Sequence, residues 1–385
     1  MLTVEVKGIG FANKGAELML YAVIDAFEQR GIKARFVAEP VGDYSRRCAF
    51  GLWQKTRYVR KQVNWLRPLN LLPRPFRNML GLVRERDIDV VLDASGFSYG
   101  DQWNNAVARD RLASTIRTFN KRNVPVIILP QALGPFTKPA NRATFTHIVK
   151  HADLVFPRDS HSLQYASALV PSESRGHISQ CPDFTNLIKG IESADFDAAQ
   201  HQVCFIPNSK MVEKRTDGAQ YIDFLVAAIE AAIAKNSKPF ILIHEQDADR
   251  RLTQQILARL SQPVPVLDPQ HALKIKWIIG HSKVVISSRF HGLVSALSQG
   301  VPVIATGWSH KYQELLNDYE CPQQLFDVSQ DQTAAIDALV HLIENTNHRQ
   351  ALVDRIEAAG VWQREAATAM WDSVFALIQE RVGAN

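Results

Sequence analysis

Val284-Val285-Ile286-Ser287-Ser288-Arg289-Phe290-His291-Gly292-Leu293 is an apolar run that stops at a serine pair and is followed at once by an arginine and a histidine. The β-branched run predicts a strand covered on both faces, as in a parallel sheet. A helix is expected from Gly292 to Gln299. Backbone N–H groups at a helix start attract anions, and a guanidinium fork and an imidazole beside them strengthen the attraction. One such loop is ordinary turn chemistry; the same layout recurs along this chain.

Strand and helix patterns alternate almost throughout, which predicts an α/β fold with parallel sheets. In the first half strands are expected at Thr3–Gly8, Ala34–Ala38, Val90–Asp93, Val126–Leu129 and Leu154–Phe156. In the second half they are expected at Val203–Ile206, Phe240–His244, Val264–Leu267, Val284–Ser287 and Val303–Ala305. At 385 residues the chain exceeds the size at which one core usually keeps growing. Two Rossmann-like domains facing across a cleft are therefore expected, over 1–190 and 200–385. Ile188–Gln202 serves as the linker, and the long last helix, Gln350–Ile378, is able to cross back to the first domain.

Composition is that of a soluble globular protein, with 22% charged and 46% hydrophobic residues. No stretch is apolar for long enough to span a bilayer, and Lys7, Lys14 and Glu17 argue against a signal peptide. Cys48, Cys181, Cys204 and Cys321 lie far apart, as in a protein with reduced thiols and neither a disulfide framework nor a zinc site. The net charge of +5 is unevenly spread. Residues 44–84 hold ten Lys/Arg and no Asp or Glu, interleaved with Trp53, Tyr58, Trp65, Leu71 and Phe76, so the remainder is net acidic. Such a segment reads either as a solvated insertion or as a peripheral contact with an anionic membrane face or acceptor. A basic patch also attracts nucleic acid, although none is expected as a partner here.

In open parallel sheets, ligands bind beyond the carboxyl ends of the strands. The uncommon polar residues of this chain fall at that edge: Asn13-Lys14-Gly15-Ala16-Glu17, Ser95 to Tyr99, Gln131, Arg158-Asp159, His244-Glu245 and Ser288 to Gly292. Taken singly each has a plain explanation as a cap, a turn or a satisfied core histidine. Together they predict a pocket for a multiply charged anion. Asn13, Ser95, Tyr99, Gln131, His244, Ser288 and Gly292 are candidates to line it. The P-loop, dinucleotide and zinc-protease signatures are missing, and no metal site is predicted.

Ser288-Arg289-Phe290-His291-Gly292-Leu293 with Gly300-Val301-Pro302-Val303-Ile304 resembles the signature of polysaccharide pyruvyl transferases. Gln131-Ala132-Leu133-Gly134-Pro135-Phe136, Arg158-Asp159 with Ser162, Cys181-Pro182-Asp183, and Asn13-x-Gly15 with Glu17 agree with it. The resemblance implies a GT-B-like fold and transfer of the pyruvyl group of phosphoenolpyruvate to two hydroxyls of a saccharide as a ketal, with phosphate released. It implies Arg158, Arg289 and His291 as donor-binding and catalytic residues, and no cofactor beyond the donor substrate. The departures are Ala16, the Asp93–Tyr99 loop and the basic insertion, and they fall on the side expected to take the acceptor. A saccharide acceptor carried on a lipid, and a cytoplasmic protein peripheral to the inner membrane face, complete the expectation. The alternatives are a GT-B glycosyltransferase using a nucleotide-sugar and a non-catalytic binder of anionic glycans or lipids.

Overall fold

The computed structural model describes residues 1–40, 42–60, 63–213, 218–307 and 310–383; residues 61 and 62 of the basic segment lie outside the described residues. The chain forms two compact units. The first comprises Met1–Phe11, Met19–Phe184 and Ala366–Asn385, the second Ala12–Leu18 and Thr185–Glu365. Relative to the expected split at 190/200, the loop after the first strand groups with the second unit and the end of the last helix with the first.

In the first unit the strands are β1 (Leu2–Lys7), β2 (Ala34–Ala38), β3 (Trp53–Lys55), a small hairpin of β4 (Val59–Arg60) and β5 (Val63–Asn64), then β6 (Leu82–Val83), β7 (Val90–Asp93), β8 (Val126–Gln131) and β9 (Leu154–Pro157). Seven of them make one parallel sheet in the order β6-β3-β2-β1-β7-β8-β9. The strand order reverses between β1 and β7, the position where a doubly wound sheet opens a ligand crevice. Val90 to Leu92 and Val126 to Leu129 are fully buried because helices cover both faces. Phe27 packs edge-on to Phe375 of the long last helix, and Phe184 edge-on to Trp371.

Two strands of this sheet come from the basic segment, where none was expected. β3 and β6 are short and interrupted by charge, so periodicity does not mark them. The segment is no amphipathic helix; its helical parts are Tyr44–Ala49, Arg67–Leu71 and Arg74–Met79. Several of its cations are internal: Lys55 is buried against Glu5, and Arg77 is buried with its guanidinium on the Leu72 carbonyl.

In the second unit β10 (Val203–Ile206), β11 (Pro239–Leu242), β12 (Val266–Leu267), β13 (Val284–Ser287) and β14 (Val303–Ala305) form a parallel sheet in the order β12-β11-β10-β13-β14. This too is the doubly wound order, with its reversal between β10 and β13. A contiguous apolar core runs from Val203 to Ile356. The helix after β13 covers Phe290–Leu297, starting two residues before the expected Gly292, so His291 lies in its first turn. Among the described residues no helix is long and apolar enough to cross a membrane.

Candidate active site

In the second unit the loops that follow β10, β11 and β13 meet at the sheet reversal, and residues 12–18 join them. Asn13 makes an antiparallel bridge to Glu245, and its side chain accepts from the Gly15 N–H at 2.9 Å, starting the helix Lys14–Gln29. Lys14 is buried; its ammonium bonds Glu17 at 2.6 Å and the Gln270 carbonyl at 3.0 Å. Gly15 lies against the imidazole of half-buried His291, and any β-carbon there would overlap the ring. Glycine is required at this position by close approach rather than by backbone angle.

Arg289, at the N-cap of the helix after β13, was expected to offer a free fork to an anion. It is instead buried and held by two carboxylates, Glu245 and Asp249. Asp249 also accepts from the Ser209 N–H at 3.1 Å and the Glu245 N–H at 2.9 Å. Its carboxyl is shifted upward by burial, with Arg289 opposing. Of the two acids Glu245 is the outer one, its side chain 20% exposed against 0% for Asp249. The permanent cations Lys14 and Arg289 thus face three carboxylates, Glu17, Glu245 and Asp249, so the site is not the uncompensated cationic pocket that the sequence pattern implied.

His244 is buried, and burial first, then the charges of Arg289, His291 and Lys14, push its pKa well below the usual histidine value. It is therefore a neutral imidazole. Its Nδ1 has no hydrogen-bond partner among the described residues, so it is not a satisfied core histidine. Ser288, expected at the substrate, is turned inward. Its hydroxyl meets Tyr221 at 2.6 Å and Thr306 at 3.0 Å, and its carbonyl accepts from Asn208 and Tyr312 at 2.8 Å each. Gly292 is likewise internal, and a β-carbon there would sit tightly, 3.0 Å from Ser287 Oγ and 3.2 Å from Ile206 Cδ1. Both shape the loop that carries Arg289 and His291.

The first unit gathers its candidates at the β1/β7 reversal. Asp93, fully buried at the end of β7, accepts from the Ser95 N–H at 3.0 Å and from the hydroxyls of Ser95 and Tyr99. Burial and the neighbouring Asp93 carboxylate raise the Tyr99 pKa well above the ordinary tyrosine value, so Tyr99 stays a phenol and donor. Arg111 donates to the Ser95 hydroxyl and reaches the Ser98 hydroxyl at 3.3 Å. Gln131 is buried beside this network with its Oε1 unpartnered among the described residues. Tyr99 and Gln131 therefore support the loop more than they face outward. Arg158 hydrogen-bonds the Gln131 carbonyl through its backbone at 3.0 Å, and its guanidinium meets Asp183 at 3.2 Å. Asp159 caps the next helix by accepting from the Ser162 N–H at 2.7 Å.

Sequence reasoning missed Asp249 and Arg111. Asp249 was detectable as an acid one turn after Glu245 at a helix start. Arg111 lies on an irregular helical stretch, Asn105–Asn120 with a π-turn, and carried no motif.

The family model described as polysaccharide pyruvyl transferase matches residues 13–310. The chain belongs to that family. No curated protein matches the sequence at a significant level. Among solved structures, this pyruvyl transferase is similar to UDP-GlcNAc 2-epimerase from Neisseria meningitidis bound to UDP-GlcNAc, with TM-score 0.60, 13% identity, and 98% of this chain and 100% of that one covered. MnaA of S. aureus, solved with UDP, gives TM-score 0.60 at 13% identity over 100% and 97% of the two chains. MurG of Acinetobacter baumannii gives 0.53 at 15% identity over 99% and 100%. At these identities the likeness concerns fold: two Rossmann-like units of the GT-B class. Family membership makes the chain an enzyme, which removes the non-catalytic binder.

Proposed function

We propose that this pyruvyl transferase takes its pyruvyl group from phosphoenolpyruvate and fixes it on two hydroxyls of a saccharide as a cyclic ketal. The observation that carries the reading is the grouping of Lys14, His244, Arg289 and His291 at the reversal point of the second sheet. Phosphoenolpyruvate brings a carboxylate and a phosphate, the latter with roughly −1.5 to −2 charges near neutrality. Neutral His244 supplies one unused ring nitrogen to such a group. Arg289 supplies its unpartnered Nε, and its outer contact once Glu245 yields.

In this reading His291 protonates the donor methylene, which becomes the methyl group and leaves a cationic carbon. A sugar hydroxyl adds there and gives up its proton. The carbon–oxygen bond to phosphate then breaks, and the second hydroxyl closes the ring with loss of its own proton. One of the two released protons restores His291 and the other leaves with phosphate. A general acid at this step contributes about 10²–10⁴ in rate. Arg158 is assigned to donor capture by the family pattern.

The test is incubation with phosphoenolpyruvate and candidate glycans, reading phosphate release and the mass of the glycan. Phosphate release with a pyruvyl adduct, lost in His291→Ala, supports the reading. The second reading, a nucleotide-sugar glycosyltransferase, draws on the UDP ligands of structural neighbours. It predicts no phosphate from phosphoenolpyruvate and release of a nucleotide from a sugar nucleotide.

A further inference from the structure

Between β3 and β6, adjacent parallel strands at the edge of the first sheet, the chain makes a long excursion in place of the usual single crossover helix. Several of its polar groups are bonded within the excursion itself. Asn64 accepts from the Tyr58 and Leu66 N–H groups and donates to the Thr56 carbonyl. Thr56 bonds Asn70, and buried Arg77 bonds the Leu72 carbonyl. Its apolar groups face outward: Trp65 is 65% exposed, Leu71 87%, Phe76 55% and Met79 73%. Of fourteen exposed large hydrophobics among the described residues, eight fall within 44–84, little more than a tenth of the chain. Scattered exposed apolar residues are normal, but a concentration built on internally bonded polar anchors is not.

We propose that this knob docks the enzyme on the surface of an anionic bilayer. The charges fit that occupant. Arg67 and Arg74 stand exposed between the apolar groups and have no ion-pair partner among the described residues, and 44–84 contains no carboxylate of its own. Exposed arginine and aromatic side chains in one segment suit the headgroup region, where each cation adds attraction to anionic lipid and Trp and Leu bury in the acyl boundary. A second copy of the chain would set these arginines against their own duplicates. Nucleic acid would gain little from Leu71 and Met79. The inference is independent of the donor, because it uses no residue of the proposed chemistry.

The experiment is co-sedimentation of the full chain with phosphatidylcholine vesicles, with and without about one-third phosphatidylglycerol. Binding is expected only with the anionic vesicles and is expected to fall as salt is raised. Arg67→Glu with Arg74→Glu is expected to weaken it by at least about tenfold, at roughly fivefold per cation removed. Trp65→Ser with Leu71→Ser and Phe76→Ser is expected to abolish it while leaving phosphate release with a soluble glycan unchanged. Quenching of the wild-type protein by bromine-labelled lipid, lost in Trp65→Phe, gives a readout that needs no disruptive variant. Equal binding to neutral vesicles, pelleting unaffected by the substitutions, or self-association or RNA binding without vesicle binding would overturn the proposal.

Discussion

The backbone of Gly15 passes so close to the His291 imidazole that a β-carbon added there would overlap the ring. Gly15→Ala therefore acts on the position of His291. Displacing a catalytic group by about 1 Å can cost about 10²-fold in rate. That loss in kcat is expected for Gly15→Ala, against about 10²–10⁴ for His291→Ala. The pair should be non-additive: with His291 already truncated, Gly15→Ala should cost little more. Independent losses in the double variant would show that Gly15 acts by some other route.

Arg289 is clamped between Asp249 and Glu245, and the two acids should respond differently to its removal. Arg289→Met leaves Asp249 buried without its cation, for which a stability loss of about 3–5 kcal/mol is expected in denaturant unfolding. Asp249→Asn in that background should restore part of it. An Arg289→Met protein as stable as the parent would mean that the clamp is not a fold element.

Glu245 is expected to compete with the donor, being the outer carboxylate on Arg289 in a site where acids outnumber permanent cations. Glu245→Gln should lower KM for phosphoenolpyruvate several-fold, and the effect should shrink at high salt. An unchanged KM would separate Glu245 from donor capture.

How much of this was legible depends on what each residue faces. The central strands Val90–Asp93 and Val284–Ser287 read directly, because burial on both faces leaves an uninterrupted apolar run. The edge strands β3 and β6 did not, since two or three residues carry no period and Lys55 looks like a surface residue until Glu5 is placed beside it. The site loops were found from their position after strands. Their internal division was not: Ser288 and Gly292 share a motif with Arg289 and His291, and only coordinates reveal that the first two turn inward. The pairing of Arg289 with Glu245 and Asp249 escaped for a similar reason, since partners 44 and 40 residues away leave no trace in local spacing.

Tyr99 and Arg111 give a prediction on the first unit. Tyr99→Phe removes a donor from the fully buried Asp93 carboxylate, an orphaning that costs about 1–3 kcal/mol. Arg111→Ala releases the Ser95 hydroxyl at the ligand edge of the same sheet and should raise KM for the saccharide more than KM for phosphoenolpyruvate. Equal changes in the two constants would detach this loop from acceptor binding.

Glu5 gives the pH test of the fold. It is fully buried in the first sheet, bonded by Lys55 at 2.8 Å and paired with Lys7 at 2.9 Å. Burial alone would raise its carboxyl, but Lys55 and Lys7 outweigh burial and hold it down at about 2. A carboxyl depressed in the folded state adds stability above its unfolded value, near 4.5, and loses that contribution as pH falls toward the folded value. Glu5→Gln should therefore be less stable than the parent at neutral pH, by about 3–5 kcal/mol, since it removes the buried anion that Lys55 and Lys7 share and leaves Lys55, among the described residues, only Glu85 at 3.2 Å. The gap should close between pH 4.5 and 2, where Glu5 itself becomes neutral. The check is thermal unfolding of both proteins across that range; a gap that stayed constant down to pH 2 would assign the loss to shape and hydrogen bonding rather than to charge.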